Sequence, residues 1–167
     1  PSDRYTRLDA TTTTGRRLDL PADGTPKNAS GKPIDPTEWN RNDGFSPASN
    51  LIVQIDELDI AASELPPVTD IGASLSADSA LVLFDTTSGD RVAAWAEMDS
   101  NNDDVTTQPL IIVPAAGLLE GHRYVVALRN LKSAAGDIEP EAAFSDLLTD
   151  PDEQTDALID SVKASGA

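Results

Sequence analysis

Leu81-Val82-Leu83-Phe84 and Val92-Ala93-Ala94-Trp95-Ala96 flank the polar stretch Thr86-Thr87-Ser88-Gly89-Asp90, and this one passage decides the fold class. Two short apolar runs around a glycine-containing loop read as a β-hairpin. Working outward, Leu51-Ile52-Val53-Gln54-Ile55 reads as an earlier strand. Leu110-Ile111-Ile112-Val113 reads as a later one, bounded by Pro109 and Pro114, and Tyr124-Val125-Val126-Ala127-Leu128 as another, closing at Leu131. No long amphipathic helix separates these runs, so the pattern favours a mostly β chain, an antiparallel β-sandwich, over an alternating α/β sheet.

The flanks differ in kind. Residues 1–49 are loop-rich, with the run Thr11-Thr12-Thr13-Thr14 and turn signals at Ala22-Asp23-Gly24, Ser30-Gly31-Lys32-Pro33 and Asp43-Gly44; residues 16–20 are their one strand candidate. So irregular a segment buries little alone, and we expect it to lie across a neighbouring core, held by Tyr5, Trp39 and Phe45. Residues 139–148 look helical. Asp150-Pro151 reads as a cap and first position of a second helix running to about Ala164, with Leu158, Ile159 and Val162 on one face. That face either docks on the same sandwich or leads into a further domain. The expected organisation is a loop-rich segment 1–49, a sandwich 50–138 and a helical linker 139–167.

Charge narrows the function classes. The chain of 167 residues carries 29 acids against 12 bases, a net −17, and is 39% apolar. Residues 1–49 hold seven of each sign, so the remaining 22 acids and 5 bases carry the whole imbalance. A surface of that sign repels nucleic acid and anionic membranes and favours cations or basic partners. No apolar stretch is long enough to span a bilayer. Cysteine is absent, which removes disulfides, thiolate metal sites and cysteine nucleophiles. Pro1 opens the chain without a signal-peptide pattern, which fits a mature product or a cut piece of something longer.

Candidate sites are few. The single histidine stands in Glu120-Gly121-His122-Arg123-Tyr124, at a turn into a strand. As a general base it would need a nucleophile and an orienting acid, and no Gly-x-Ser-x-Gly elbow occurs, so a structural role is expected and no catalytic residue is assigned. Asp99, Asn101 and Asp103 alternate oxygen donors as a Ca²⁺ loop does. The sixth position is Asp104 rather than glycine and the twelfth is Leu110 rather than glutamate, so a polar turn explains the same residues. Ca²⁺ is the only cofactor this sequence suggests. Glu97 and Asp99 have the spacing of paired carboxylates, without the aromatics of a sugar cleft. Asn28-Ala29-Ser30 matches a glycosylation sequon.

Leu119-x-Gly121-x-x-Tyr124-x-Val126-x-Leu128 resembles the turn into a late strand of immunoglobulin-like domains, where the tyrosine packs at a corner. Further segments extend the resemblance: Tyr5-Thr6 with Asp9, Thr14-Gly15-Arg16-Arg17, and above all Asp35-Pro36-Thr37-Glu38-Trp39-Asn40-Arg41-Asn42-Asp43-Gly44-Phe45-Ser46-Pro47. Together with residues 121–129 they make nearly the whole chain similar to large exported bacterial proteins of actinobacterial type. These pair an N-terminal immunoglobulin-like region with a C-terminal α/β-hydrolase domain of lipase or esterase kind.

The resemblance implies an immunoglobulin-like sandwich, an extracellular or cell-surface location, and a partner that is the hydrolase domain or a second fragment of the same protein. It also implies that nucleophile, acid and histidine lie beyond Ala167. Within the Asp35 to Pro47 run, Asp43 is expected to bond local amides, Gly44 to permit the turn, and Trp39 and Phe45 to anchor it. The alternative is a stand-alone surface or adhesion module, stabilised by Ca²⁺.

Overall fold

The computed structural model describes residues 3–101, 103–151 and 153–164. The architecture is mostly small antiparallel β-sheets with few helices. Two compact units are present: residues 1–49 with 119–121, and residues 50–118 with 122–167.

The first unit is built on a two-stranded ribbon of β1 (Thr6–Leu8) and β2 (Arg16–Leu18), with Thr6 opposite Leu18. Its other regular pieces are single turns of 3₁₀-helix at Asp3–Tyr5, Ala22–Gly24 and Trp39–Arg41. β2 is shorter than residues 16–20 suggested because the amide of Leu20 leaves the ribbon to bond the Asn40 side chain.

The second unit holds β3 (Leu51–Val53), β4 (Leu81–Asp85), β5 (Arg91–Val92), β6 (Ala94–Met98), β7 (Leu110–Pro114) and β8 (Tyr124–Leu128). They form two three-stranded sheets, in the orders β3-β7-β6 and β5-β4-β8. A small ribbon of β9 (Lys132–Ser133) and β10 (Gly136–Asp137) follows. Every residue of β4 is buried, which is why it reads as an unbroken apolar run: it is central in its sheet and covered on both faces. β6 and β7 alternate instead. Ala94, Ala96, Leu110 and Ile112 point inward and join Leu81 and Leu83 in one apolar cluster, so both sheets feed a single core.

The hairpin expected over residues 81–96 forms only in part. Leu83 and Phe84 pair with Val92 and Arg91. At Ala93 the chain then leaves this sheet, and residues 94–98 pair with β7 in the other. The second arm is thus two strands in two sheets. The change of sheet frees backbone groups that the fold satisfies at once. The Ala94 N–H donates to Ser74 Oγ at 3.1 Å, and the Ala96 N–H to the Pro66 carbonyl at 2.9 Å. Ser74 lies on a 3₁₀ stretch, Val68–Leu75, that covers this edge of β6 and breaks at Asp70, as long 3₁₀ runs do.

Two helices close the chain, α1 (Ala142–Thr149) and α2 (Glu153–Ala164). Asp150 caps the end of α1, its N–H bonding the Asp146 carbonyl, rather than opening the next helix; residue 152 lies outside the described residues. α2 runs beside β8 with Leu158, Ile159 and Val162 half-buried.

Candidate functional site

The chemistry of the second unit concentrates at one end of β4. Register sets Asp85, its last residue, opposite Tyr124, the first of β8, and so beside His122, two residues earlier. Asp85 Oδ2 meets His122 Nδ1 at 2.5 Å, and Asp85 Oδ1 accepts the Thr87 N–H at 2.8 Å. The turn is tied further by the Gly89 N–H on the Asp85 carbonyl at 2.8 Å and the Asp85 N–H on the Asp90 carbonyl at 2.9 Å. Gly89 has φ of 80°, the left-handed conformation glycine adopts without strain. The Thr86 N–H and hydroxyl both donate to the Arg123 carbonyl, at 2.9 and 3.0 Å.

Asp85 is 3% exposed and the His122 side chain 28%, so the carboxylate is enclosed while the ring reaches solvent. The Tyr124 ring stacks on the imidazole at 6.4 Å and 24°. Burial pushes the Asp85 carboxyl up. The His122 hydrogen bond, the Thr87 amide and the imidazole charge outweigh it, so the group titrates below the ordinary carboxylate range.

An aspartate on Nδ1 of a partly exposed histidine is the acid–base half of a nucleophilic triad. Sequence reasoning asked for an orienting acid near His122 and did not find it. Asp85 lies 37 residues away, and only the β4–β8 register brings it there. The same geometry is also a structural clasp, joining the turn after β4 to the lead-in of β8. Among the described residues no hydroxyl bonds His122 Nε2.

The other buried polar side chains also serve backbone. Ser74 Oγ donates to the Ile71 carbonyl at 2.7 Å while accepting from Ala94. Ser63 Oγ donates to the Asp59 carbonyl at 2.7 Å and accepts the Lys132 N–H at 2.8 Å. Ser79 Oγ donates to the Leu81 carbonyl at 2.8 Å. In the first unit, Thr25 Oγ1 lies 2.8 and 2.7 Å from the Ala22 and Ile34 carbonyls. Arginines act alike: Arg91 Nη1 reaches the Leu75 and Ser76 carbonyls at 3.2 and 2.8 Å, and Arg129 bonds the carbonyls of Ser79 and Ala77. Arg91 thus holds the end of the 3₁₀ stretch, where carbonyls lack helical partners, and Arg129 holds the turn that follows it. Arg91 Nε and Nη2 are enclosed without a partner.

In the first unit, the Asp35 to Pro47 run is fastened to β2 and its flanks by the Asn40 side chain and by its own backbone carbonyls. The Asn40 side-chain amide accepts the Leu20 N–H at 2.8 Å and donates to the Leu20 carbonyl at 3.0 Å, replacing a missing ladder partner. The Leu18 N–H donates to the Asn42 carbonyl at 3.0 Å, and Arg17 Nη1 to the Arg41 carbonyl. Asp43 contributes its carbonyl, which accepts from Thr14 Oγ1 at 2.5 Å. Gly44 is outside the left-handed region and an added Cβ there meets nothing within 4 Å, so the turn does not require glycine. Trp39 is exposed, on the rim of a depression of about 510 Å³ with Tyr5, Leu20 and Pro21; Phe45 is half-buried. Asn40 is the residue sequence reasoning passed over. Arg17 Nε binds Asp9 Oδ2 at 2.7 Å, and with the hydroxyl and amide of Thr11 holds the Asp9 carboxyl well below its usual range.

Asp99, Asn101 and Asp103 lie in the turn from β6 to β7. Asp99 Oδ1 accepts from both the backbone and the side-chain nitrogen of Asn101, each at 2.9 Å, as an Asx-turn does. Among the described residues no group of three or more His, Cys, Asp or Glu side chains could hold a metal ion. Glu97 faces outward with Trp95, whose indole N–H lies 3.4 Å from its carboxylate. Among the described residues no helix is long and apolar enough to cross a membrane.

No family model matches this chain, and neither the curated proteins nor the solved structures contain a match.

Proposed function

We propose that this chain is a non-catalytic β-sandwich module of immunoglobulin-like kind, serving an exported bacterial α/β-hydrolase by packing on its catalytic domain and shaping the mouth of its site. One observation carries the reading. The five buried polar residues among those described, Thr25, Ser63, Ser74, Ser79 and Asp85, all spend their side chains on turns and strand edges. Polar groups used this way specify a fold rather than converge on a substrate.

Two sheets feeding one core support the sandwich. β4 lies between β5 and β8, whereas the second strand of an antibody constant domain joins the sheet of the first, so the kinship is of architecture rather than of strand order. The hydrolase partner and the exported location follow from the resemblance of the Asp35 to Pro47 run and residues 121–129.

Ester hydrolysis by the purified chain tests the reading, since Asp85 and His122 are the one pair with catalytic geometry among the described residues. The expected rate on activated aryl esters equals that of buffer, and His122→Ala leaves it unchanged. Turnover by the chain that His122→Ala abolishes would make the pair catalytic and sink the proposal.

A further inference from the structure

Exposed apolar side chains occur singly along the described residues, such as Leu8 and Ile52, but α1 gathers three on one short helix. Every residue of Ala142–Thr149 is exposed, among them Phe144 at 55%, Leu147 at 40% and Leu148 at 44%. Their i, i+3, i+4 spacing sets all three on one face. A helix of eight residues is too short to be stable in water by itself, so such a face ordinarily gains its stability from whatever it packs on.

The charge around it says what that is. Between Lys132 and Lys163 there is no base, and nine acids: Asp137, Glu139, Glu141, Asp146, Asp150, Asp152, Glu153, Asp156 and Asp160. The last turn of α1 has no basic residue, and Asp146 and Asp150 add to the negative end of its dipole. We propose that the Phe144, Leu147 and Leu148 face of α1 is a docking surface for a basic amphipathic helix of another protein or domain, its apolar stripe on these three residues and its lysines or arginines on the flanking acids. A second copy of the chain would bring the same acids to the contact, and an anionic membrane would be repelled likewise. The inference rests on α1 and the acids around it in sequence, not on the hydrolase reading.

The test uses the full chain and a designed, dye-labelled helix with a leucine stripe flanked by lysines, read by fluorescence anisotropy. Saturable binding that weakens as salt rises is expected. Phe144→Ser, Leu147→Ser and Leu148→Ser combined should weaken it about thirtyfold or more. Because no residue of α1 is buried, the triple variant keeps the parent melting temperature, so a loss of binding is not a loss of fold. Equal affinity for the triple variant overturns the proposal by reducing the effect to charge alone. Equal affinity for a glutamate-flanked helix overturns the basic partner. A dimer in sedimentation that the triple variant dissolves assigns the face to a second copy and overturns it too.

Discussion

Replacing Asp85 with alanine removes the carboxylate that joins the turn after β4 to the lead-in of β8. Two bonds go with it, the 2.5 Å contact to His122 and the 2.8 Å bond from the Thr87 N–H. A hydrogen bond to a charged partner contributes about 1.5–3 kcal/mol, while the amide of Thr87, an exposed residue, can turn to water at little cost. Against these stands the relief of no longer burying a carboxylate. The expected net loss is about 1–3 kcal/mol, or roughly 3–10 °C in melting temperature for a domain of this size. Asp85→Asn keeps an acceptor for Thr87 and should lose about half as much.

The pH dependence has a definite sign. The folded Asp85 carboxyl titrates below its unfolded value. Its contribution is therefore complete above the ordinary aspartate pKa of about 3.9 and is lost as pH falls through the lower folded value. Urea midpoints from pH 7 down to the acid limb should show Asp85→Asn flatter than the parent in that window. A double-mutant cycle with His122→Ala should give a coupling of about 1 kcal/mol or more. A loss under about 0.5 kcal/mol for Asp85→Ala, or a coupling near zero, refutes the clasp.

Other perturbations probe other joints. Ser74→Ala strands the Ala94 N–H where the chain changes sheets, so it should cost about 1–3 kcal/mol and speed hydrogen exchange at Ala94; unchanged exchange there removes the serine from that role. Asn40→Ala should raise exchange at the Leu20 amide with a local loss of about 1–2 kcal/mol, while leaving β4 protected. Gly89→Ala, at φ 80°, should destabilise by about 1 kcal/mol, whereas Gly44→Ala should be neutral within about 0.5 kcal/mol by thermal melting; equal effects contradict the backbone assignment. Ca²⁺ at millimolar concentration should move the melting temperature by less than about 1 °C, because Asp99 Oδ1 is occupied by Asn101; a large rise reversed by chelator would favour the adhesion module.

How far the sequence reveals this molecule depends on the range over which each feature is encoded. The strands β4, β6, β7 and β8 are legible because apolar runs between turn residues are local signals. The change of sheet at Ala93 is not, since Val92-Ala93-Ala94 carries no glycine or proline to mark it and the partners that enforce it, Ser74 and Pro66, are remote. The 3₁₀ stretch Val68–Leu75 escapes because Val68, Ile71 and Leu75, though at helical spacing, lie on a segment too short and too broken by Gly72 to read as a helix. At the candidate site His122 is visible as the one histidine, while Asp85 is one of 29 acids until strand register selects it. The Asp35 to Pro47 run stands out by composition, which draws the eye to Trp39 and Phe45. Its fastening runs instead through backbone carbonyls and the side-chain amide of Asn40, a residue type too common in turns to signal a role.

The claim that this chain assists chemistry without performing it meets its most direct test in active-site labelling. The chain is purified with its native partners and exposed to a fluorophosphonate that modifies activated serines, and the modified serine is located by peptide mapping. The account predicts one labelled serine outside residues 1–167. A label on any serine of this chain, or no labelled species at all, would contradict it.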